Sequence, residues 1–210
     1  RWTVNNAAAL ARKLGQTDIR TFWVVEDDAA LIELLRQDGF ERRADPMVYF
    51  TRSLAGPVPE PVLPEGYSLR YVAGEHEAQK RAAASHGAFG SRLPFDSYWP
   101  RYRGFMQSPV YGAERDRVVV APDGRFAAFC IYWLDPINQV GLFEPVGTHP
   151  DFQRQGLGKA LLLESLGRVR EGGMTSAIVC TNHDNPAAVR LYESVGFQAT
   201  HRLWLYSKAV

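Results

Sequence analysis

The sequence has little of what a metal centre, a disulfide framework or a membrane protein requires. Only two of its 210 residues are cysteine and five are histidine. Cys130 and Cys180 each lie in an apolar, strand-like stretch, so we expect buried, reduced thiols rather than a disulfide or a nucleophile. No histidines show metal-ligand spacing, and no metal site is predicted. Long apolar runs are missing, so neither a transmembrane segment nor a signal peptide is expected.

An excess of charge of one sign is also missing. The chain has 24 basic and 23 acidic residues, for a formal net charge of +1. Basic residues are mixed with acidic ones, as in Arg115-Asp116-Arg117, and this pattern is typical of a solvated surface. We therefore expect no nucleic-acid partner. The lack of a membrane span or signal peptide and the reduced thiols add the expectation of no membrane partner and a cytoplasmic location. The apolar fraction of 46% is enough for a hydrophobic core.

The most informative stretch is a glycine-containing turn. It follows a strand-like stretch, Val140 to Thr148, and leads into a helix-like run, Leu157 to Glu171. The first backbone N–H groups of a helix have no partners and carry partial positive charge, and glycines let a diphosphate come close. The sequence predicts an anion site formed by Gln153, Arg154, Gln155, Gly156, Leu157, Gly158 and Lys159.

Two common nucleotide-binding motifs do not fit this turn. A Walker A loop would need glycine in place of Gln153 and a hydroxyl residue in place of Ala160. A dinucleotide fingerprint starting at Gly156 would need a small residue in place of Leu161. The pattern that remains is Gln-x-x-Gly-x-Gly.

That pattern stands in a longer arrangement. It follows Val146-Gly147-Thr148-His149-Pro150, and downstream come Asn185-x-x-Ala188-x-x-Leu191-Tyr192-x-x-x-Gly196-Phe197. On these motifs, from about Tyr67 to the C-terminus, the chain resembles the GNAT superfamily of acyl-CoA-dependent N-acyltransferases. The resemblance implies an α/β fold with a mixed, mostly antiparallel twisted sheet flanked by helices, and acetyl-CoA (CoA) as cofactor.

The resemblance also implies roles for individual residues. The backbone of Val146, Gly147 and Thr148 would bind the pantetheine arm as an added strand, and a nearby backbone N–H would polarise the thioester carbonyl. Tyr192 would protonate the leaving thiolate, the alternative being a tyrosine of the core. Asn185 would cap the following helix and contact CoA, or only cap it.

The general base is less well defined by the sequence. Glu144 precedes the expected cofactor contacts and shares the strand alternation of Val146 and Thr148, which makes it our candidate. The alternative is an exposed glutamate paired with a neighbouring arginine. His149 and His183 are more typical of capping or surface histidines.

A proline-rich stretch divides the chain, and the part before it repeats part of the second. We predict a partial GNAT-like unit in residues 1–55, a linker in 56–66 and the acetyltransferase domain in 67–210. A constant shift of 157 positions aligns Gly15, Asp27, Leu34, Gly39, Phe40 and Tyr49 with Gly172, Asp184, Leu191, Gly196, Phe197 and Tyr206.

The repeat has no cofactor site of its own. In this register Arg1 corresponds to Gly158, just past the phosphate turn, and Leu35 occupies the position of Tyr192. We expect a C-terminal piece of a tandem-GNAT protein. The alternative is a genuine half-domain that docks as a lid or a sheet extension.

Apolar periodicity and turn residues predict the order of helices and strands. In the first segment we expect helix Asn6–Leu14, strand Ile19–Val25, helix Ala29–Gln37 and strand Met47–Arg52. In the second we expect strand Tyr67–Val72, helices His76–Phe89 and Phe95–Met106, a hairpin of Arg117–Ala121 and Arg125–Trp133, the strand ending at Thr148, the helix from Leu157, strand Thr175–Thr181, helix Pro186–Val195 and two closing strands within Phe197–Ser207.

The expected function is transfer of an acetyl group from acetyl-CoA to a primary amine of a small molecule or peptide, by direct attack. The alternative is a noncatalytic acyl-CoA sensor or assembly module. Aromatic and arginine side chains within residues 75–110 would choose the amine. The identity of that amine, the acyl-chain preference and the oligomeric state, a homodimer included, stay open.

Overall fold

The structure is a computed structural model that describes residues 2–210, and these form two compact units. In chain order the elements are α1 (Trp2–Lys13), β1 (Asp18–Val25), α2 (Ala29–Gln37), β2 (Glu41–Arg42), β3 (Met47–Ser53), β4 (Ser68–Tyr71), α3 (Ala78–Ala88), α4 (Phe95–Met106), β5 (Asp116–Val120), β6 (Phe126–Asp135), β7 (Val140–Thr148), α5 (Leu157–Glu171), β8 (Ser176–Asn182), α6 (Pro186–Ser194) and β9 (Gln198–Ala209). Within this range no helix is long and apolar enough to cross a membrane.

The smaller unit consists of the residues up to Phe50, Cys180–Arg190 and Gln198–Val210. Strand β9 pairs antiparallel with β1 and with the short β2. Helices α1 and α2 are amphipathic, because apolar residues recur at helical spacing. The core of this unit contains Ala11, Ile19, Val24, Leu35, Phe40 and Tyr206.

The larger unit, Thr51–Val179 with Leu191–Phe197, contains the predicted phosphate turn. Its strands lie in the order β8, β7, β6, β5, β4. The neighbours are antiparallel except β7 and β8, which run parallel and are joined through α5, as a parallel connection requires. Helix α5 buries Leu161, Leu162 and Leu166 completely. The mixed, mostly antiparallel sheet flanked by helices is therefore confirmed.

Most elements lie within two residues of their predicted bounds, but α1 begins at Trp2 rather than Asn6 and two further predictions fail. Helices α2, α4 and α5 and the end of β7 fall at the predicted residues. The two closing strands are wrong, since Gln198–Ala209 is one continuous strand with no turn residue to interrupt it. The two-residue strand β2 was not predicted. Residues 56–66 contain neither helix nor strand.

The expectation that Arg115-Asp116-Arg117 forms a solvated surface is wrong for two of its residues. Asp116 is completely buried and pairs with Arg81, whose Nε lies 2.8 Å from Asp116 Oδ1. Arg117 is also buried and pairs with Glu164 at 2.6 Å. Both partners belong to helices that pack on β5, so these charges are desolvated in pairs, as buried charges generally are.

Two tyrosines form hydrogen bonds with the buried carboxylate of Asp116. The hydroxyls of Tyr102 and Tyr111 both donate to Asp116 Oδ2. Burial raises the pKa of both phenols, and proximity to the carboxylate raises them further. The cluster therefore joins α3, α4 and β5 through hydrogen bonds that a solvated surface would not form.

Within residues 2–210 neither cysteine forms a disulfide. Cys130 is buried as expected, whereas Cys180 is only partly buried. Burial raises the pKa of the Cys130 thiol to about 12, and its sulfur lies 3.2 Å from Ser165 Oγ. A thiol held protonated in this way is a poor nucleophile.

Candidate active site

The predicted phosphate turn forms an open helix start. A short 3-10 turn, Pro150–Phe152, precedes it, and Gly156 is the N-cap residue of α5 with φ of 78° and no side-chain cap. Arg154 also has a positive φ, 62°. The first-turn N–H groups of α5 therefore meet no side-chain cap, and the turn is exposed except for Leu157 and Gly158. This geometry suits an anion.

The start of α5 lies close to two other parts of the site. A Cβ added to Gly158 would stand 3.2 Å from Leu191 Cδ2 and 3.3 Å from Thr148 Oγ1. Only a residue without a side chain fits this contact without displacement. The absence of a side chain at Gly158 thus lets the helix start approach the end of β7 and the helix that carries Tyr192.

The side chains of the turn divide into held and free ones. Gln153 Nε2 donates to Thr148 O at 3.4 Å, and Gln155 Oε1 accepts from the Tyr67 hydroxyl at 2.8 Å. Arg154 and Lys159 are exposed, and within residues 2–210 neither forms an ion pair. Their charges are available to an anion on the turn.

His149, at the entrance to the turn, is a capping residue. Its Nδ1 accepts from the Asp151 backbone N–H at 3.3 Å. A Cβ added to Gly87 would meet the His149 ring at 2.3 Å, so the ring lies directly on α3. This structural role agrees with the prediction for this histidine.

The end of the strand predicted to contact the pantetheine arm is paired on one side only. Val146, Gly147 and Thr148 pair with Cys130, Phe129 and Ala128 of β6. On the other side, the register of β7 with β8 ends at Phe143, opposite Val179. The backbone of Val146–Thr148 therefore lies outside the β7–β8 ladder, where an extended ligand can add as a strand.

The alternation used to place Glu144 is interrupted. Between Cys130 and Tyr132 of β6, strand β7 runs from Val146 to Phe143, so β7 contains one extra residue. This is a β-bulge, and it breaks the shared alternation of Glu144 with Val146 and Thr148. The alternation predicted for Glu144 is therefore wrong, whereas its place just before the expected cofactor contacts is unchanged.

The Glu144 side chain is nevertheless accessible. It is exposed, and among residues 2–210 no hydrogen bond or ion pair involves its carboxylate. Its exposure agrees with the alternative prediction, but no arginine within residues 2–210 pairs with it. A free carboxylate beside the bulge can accept a proton.

Tyr192 lies on α6 and is buried, with 4% of its surface exposed. Its ring packs on Phe197 with the centroids 6.2 Å apart, and Phe197 packs at the same distance on Phe143. Phe143 is the last residue of β7 in register with β8. A chain of aromatic contacts therefore connects Tyr192 to the point where the two strands cease to pair.

Asn185 caps the helix that carries Tyr192. Its Oδ1 accepts from the Ala188 N–H at 3.1 Å, and Pro186 takes the first helical position. The cap is thus present, and contact with CoA stays a prediction. The part of the chain that the structure describes contains no group of three or more side chains suited to a metal ion.

Comparison with known proteins identifies the class to which this fold belongs. A profile of the acetyltransferase (GNAT) family matches residues 85–197. The chain belongs to this family.

Its relatives give further detail. The chain is 29% identical over 205 residues to the mycothiol acetyltransferase of Saccharomonospora viridis, covering 92% of this chain and 66% of that protein. It spans 55% and 64% of two other proteins with this name. The chain is therefore shorter than these relatives.

Solved structures share the fold. A GCN5-related N-acetyltransferase from Sphaerobacter thermophilus superposes with a TM-score of 0.76 at 21% identity, over 99% of this chain and 67% of that one. A tandem GNAT protein from the clavulanic acid biosynthesis pathway superposes with a TM-score of 0.74 at 19% identity, over 97% and 67%.

Proposed function

We propose that the chain is the acetyl-transferring part of an enzyme that moves an acetyl group from acetyl-CoA to a primary amine. The observation that carries the proposal is the uncapped start of α5 directly beside the end of β7, through Gly158 and Thr148. A pyrophosphate needs the first feature and a pantetheine arm needs the second. The residues present therefore fit acetyl-CoA.

In this proposal, CoA is held by charge and backbone. The N–H groups from Gly156 to Lys159 and the side chains of Arg154 and Lys159 bind the pyrophosphate. The backbone of Val146–Thr148 holds the arm, and a backbone N–H at Val146 or Gly147 polarises the thioester carbonyl. Pro145 has no N–H to offer. Acetyl-CoA supplies the activated acyl group, so no protein nucleophile is required.

Proton transfer is assigned to two side chains. An alkyl ammonium with a pKa of about 10 is neutral in roughly one molecule per thousand at pH 7, so Glu144 accepts its proton directly or through water. Tyr192 donates to the departing thiolate. Phenols have a pKa of about 10 and thiols a pKa of about 8.5, so the hydroxyl stabilises developing negative charge rather than releasing a free proton.

The acceptor is proposed to be a small molecule or peptide with a primary amine. Because relatives are named mycothiol acetyltransferase, an amine related to mycothiol is the first acceptor to test. A panel of aminoglycosides, polyamines, amino acids and peptide N-termini should accompany it.

The test combines thiol release from acetyl-CoA with calorimetric binding of acetyl-CoA to the same sample. Binding with amine-dependent thiol release supports the proposal and identifies the acceptor class. Binding without release on any amine favours the acyl-CoA sensor. Arg154→Ala and Lys159→Ala should each weaken binding several-fold, whereas Arg190→Ala, an exposed arginine outside the turn, should not.

We also propose the tandem arrangement, with residues 1–55 as a partial GNAT-like unit, 56–66 as its linker and 67–210 as the acetyltransferase domain. The shift of 157 positions places α2 on α6 residue for residue. A structural neighbour is itself described as a tandem GNAT protein. Calorimetry should then give one acetyl-CoA per chain, and a stoichiometry of two would overturn the idea that the first segment has no cofactor site.

A further inference from the structure

The bulge in β7 creates a local need for a hydrogen-bond donor. Between Phe143 and Val146, β7 contains one residue more than the paired stretch of β6. Such a bulge takes backbone groups out of the ladder of hydrogen bonds. The extra stretch is Glu144-Pro145, in which Pro145 has no N–H. The Glu144 carbonyl oxygen must therefore find a donor outside the regular pattern or be solvated.

A side chain of the neighbouring strand supplies that donor. Trp133 Nε1 donates to Glu144 O at 2.7 Å. Trp133 stands opposite Leu142, two residues before Glu144, so the indole reaches diagonally across the β6–β7 pair. This bond ties the backbone of the proposed base to β6.

The indole is itself held from two sides. The Phe105 ring of α4 packs against it edge to face, with the centroids 6.1 Å apart and the planes at 70°. The Arg115 guanidinium lies over it, 5.8 Å from the centroid. Because two neighbours restrict the ring, its N–H keeps one direction, which is the condition for a positioning contact.

We propose that Trp133 is a positioning residue of the active site: through Nε1 it holds the Glu144-Pro145 bulge and thereby the Glu144 carboxylate and the backbone N–H groups that follow. The inference rests on the proposed function, because it takes Glu144 as the base. The bond is reached by solvent, so water replaces it when the indole N–H is removed and the fold loses little. What is lost is the fixed position of the base, and small displacements at a reacting centre are costly in rate.

The test removes the donor and keeps an aromatic ring. Trp133→Phe should lower kcat about tenfold and leave KM for acetyl-CoA within about twofold. The pH profile of kcat should also change on its acidic limb, which reports the base. Replacing Trp133 by 3-benzothienylalanine, which keeps the bicyclic shape and lacks the N–H, should reproduce the loss.

A matched control separates this role from a general effect of losing an indole. Trp204→Phe makes the same change at a tryptophan of the smaller unit, whose Nε1 is buried without a partner. It should leave kcat and the pH profile unchanged. Phe105→Leu keeps the Trp133 N–H and loosens its ring, so it should give a smaller loss of kcat than Trp133→Phe.

A second readout does not depend on turnover. Although solvent reaches it, the hydrogen-bonded Trp133 indole N–H should exchange several-fold more slowly than the indole N–H of free tryptophan, and Trp133→Phe should speed amide exchange at Val146 and Gly147. If the indole N–H is unprotected, or if the amide exchange rates of Val146 and Gly147 do not change in Trp133→Phe, the proposal that Trp133 holds the bulge is overturned. If the indole N–H is protected but the wild-type protein releases thiol with none of the amines, the Trp133 hydrogen bond is supported and the proposed function is rejected. Full activity and an unchanged pH profile in both Trp133 variants overturn the positioning role.

Discussion

Helices α2 and α6 are built on one plan. Both have nine residues. Asp28 accepts from the N–H three positions ahead at 3.0 Å, and Asn185 accepts from the corresponding N–H at 3.1 Å. After each helix comes a glycine with positive φ, Gly39 at 78° and Gly196 at 84°. Each glycine precedes a buried phenylalanine. The same start and stop signals thus produce the same helix twice.

The two helices differ where chemistry is expected. Leu35 stands on α2 where Tyr192 stands on α6, and both side chains are buried. The two positions differ in the side chain, which is aliphatic on α2 and a phenol on α6, and not in the helix that holds it. The repeat therefore supplies controls for the site, because a change made in both copies has the same structural cost and only one copy faces the proposed cofactor.

The largest expected effect comes from the phenylalanine after each helix. Phe40→Ala and Phe197→Ala should each lower the free energy of unfolding by about 3–5 kcal/mol, because each leaves a cavity in a core. Denaturant unfolding followed by circular dichroism measures this. Phe197 also contacts the Tyr192 ring, so only Phe197→Ala should reduce turnover per folded molecule. An equal reduction in Phe40→Ala would break the comparison.

Next in size is the loss of the hydroxyl. Tyr192→Phe should lower kcat about a hundredfold, the lower range for acid–base catalysis, and leave the Kd for acetyl-CoA nearly unchanged. Tyr206→Phe is the matched control, since Tyr206 is a buried tyrosine of the smaller unit. Steady-state kinetics and calorimetry separate the two effects. Similar losses of kcat in both variants would assign Tyr192 to the core instead.

A smaller effect compares two glycines with the same backbone conformation. Gly39 and Gly156 both have φ of 78°, and an added Cβ would meet nothing within 4 Å at Gly156 and only Lys208 side-chain atoms at 3.8 Å or more at Gly39. Alanine at either position should cost about 1–2 kcal/mol of stability. Only Gly156→Ala should also weaken acetyl-CoA binding, which calorimetry would detect. Unchanged binding would remove the turn from the cofactor site.

The parts that local sequence could predict are those that local chemistry determines. Asp28, Asn185 and the glycines after the helices mark boundaries because caps and positive φ act within a few residues. The bulge at Glu144-Pro145 could not be predicted from the sequence, because apolar alternation in one strand does not show how many residues its neighbour uses.

The buried pair of Arg81 and Asp116 could not be predicted for a related reason. A charged residue shows its burial only once its partner is known, and this partner lies 35 positions away. The anchoring role of Trp133 depends in the same way on the register of β6 with β7. Tertiary pairing, rather than local preference, determines these features of the site.

The smallest expected effect is the sharpest test of the comparison. Asp28→Ala and Asn185→Ala each remove a helix cap and should each cost about 1 kcal/mol of stability. If Asn185 only caps, the two variants bind acetyl-CoA equally well. If it also contacts CoA, Asn185→Ala weakens acetyl-CoA binding several-fold while Asp28→Ala does not. Thermal unfolding of both variants with and without the same excess of acetyl-CoA measures the two contributions together, because a ligand that binds the folded state raises the unfolding temperature by an amount that grows with the logarithm of its affinity. We expect a smaller ligand-induced shift for Asn185→Ala, since the same side chain that begins α6 would then have a second partner that its counterpart on α2 lacks.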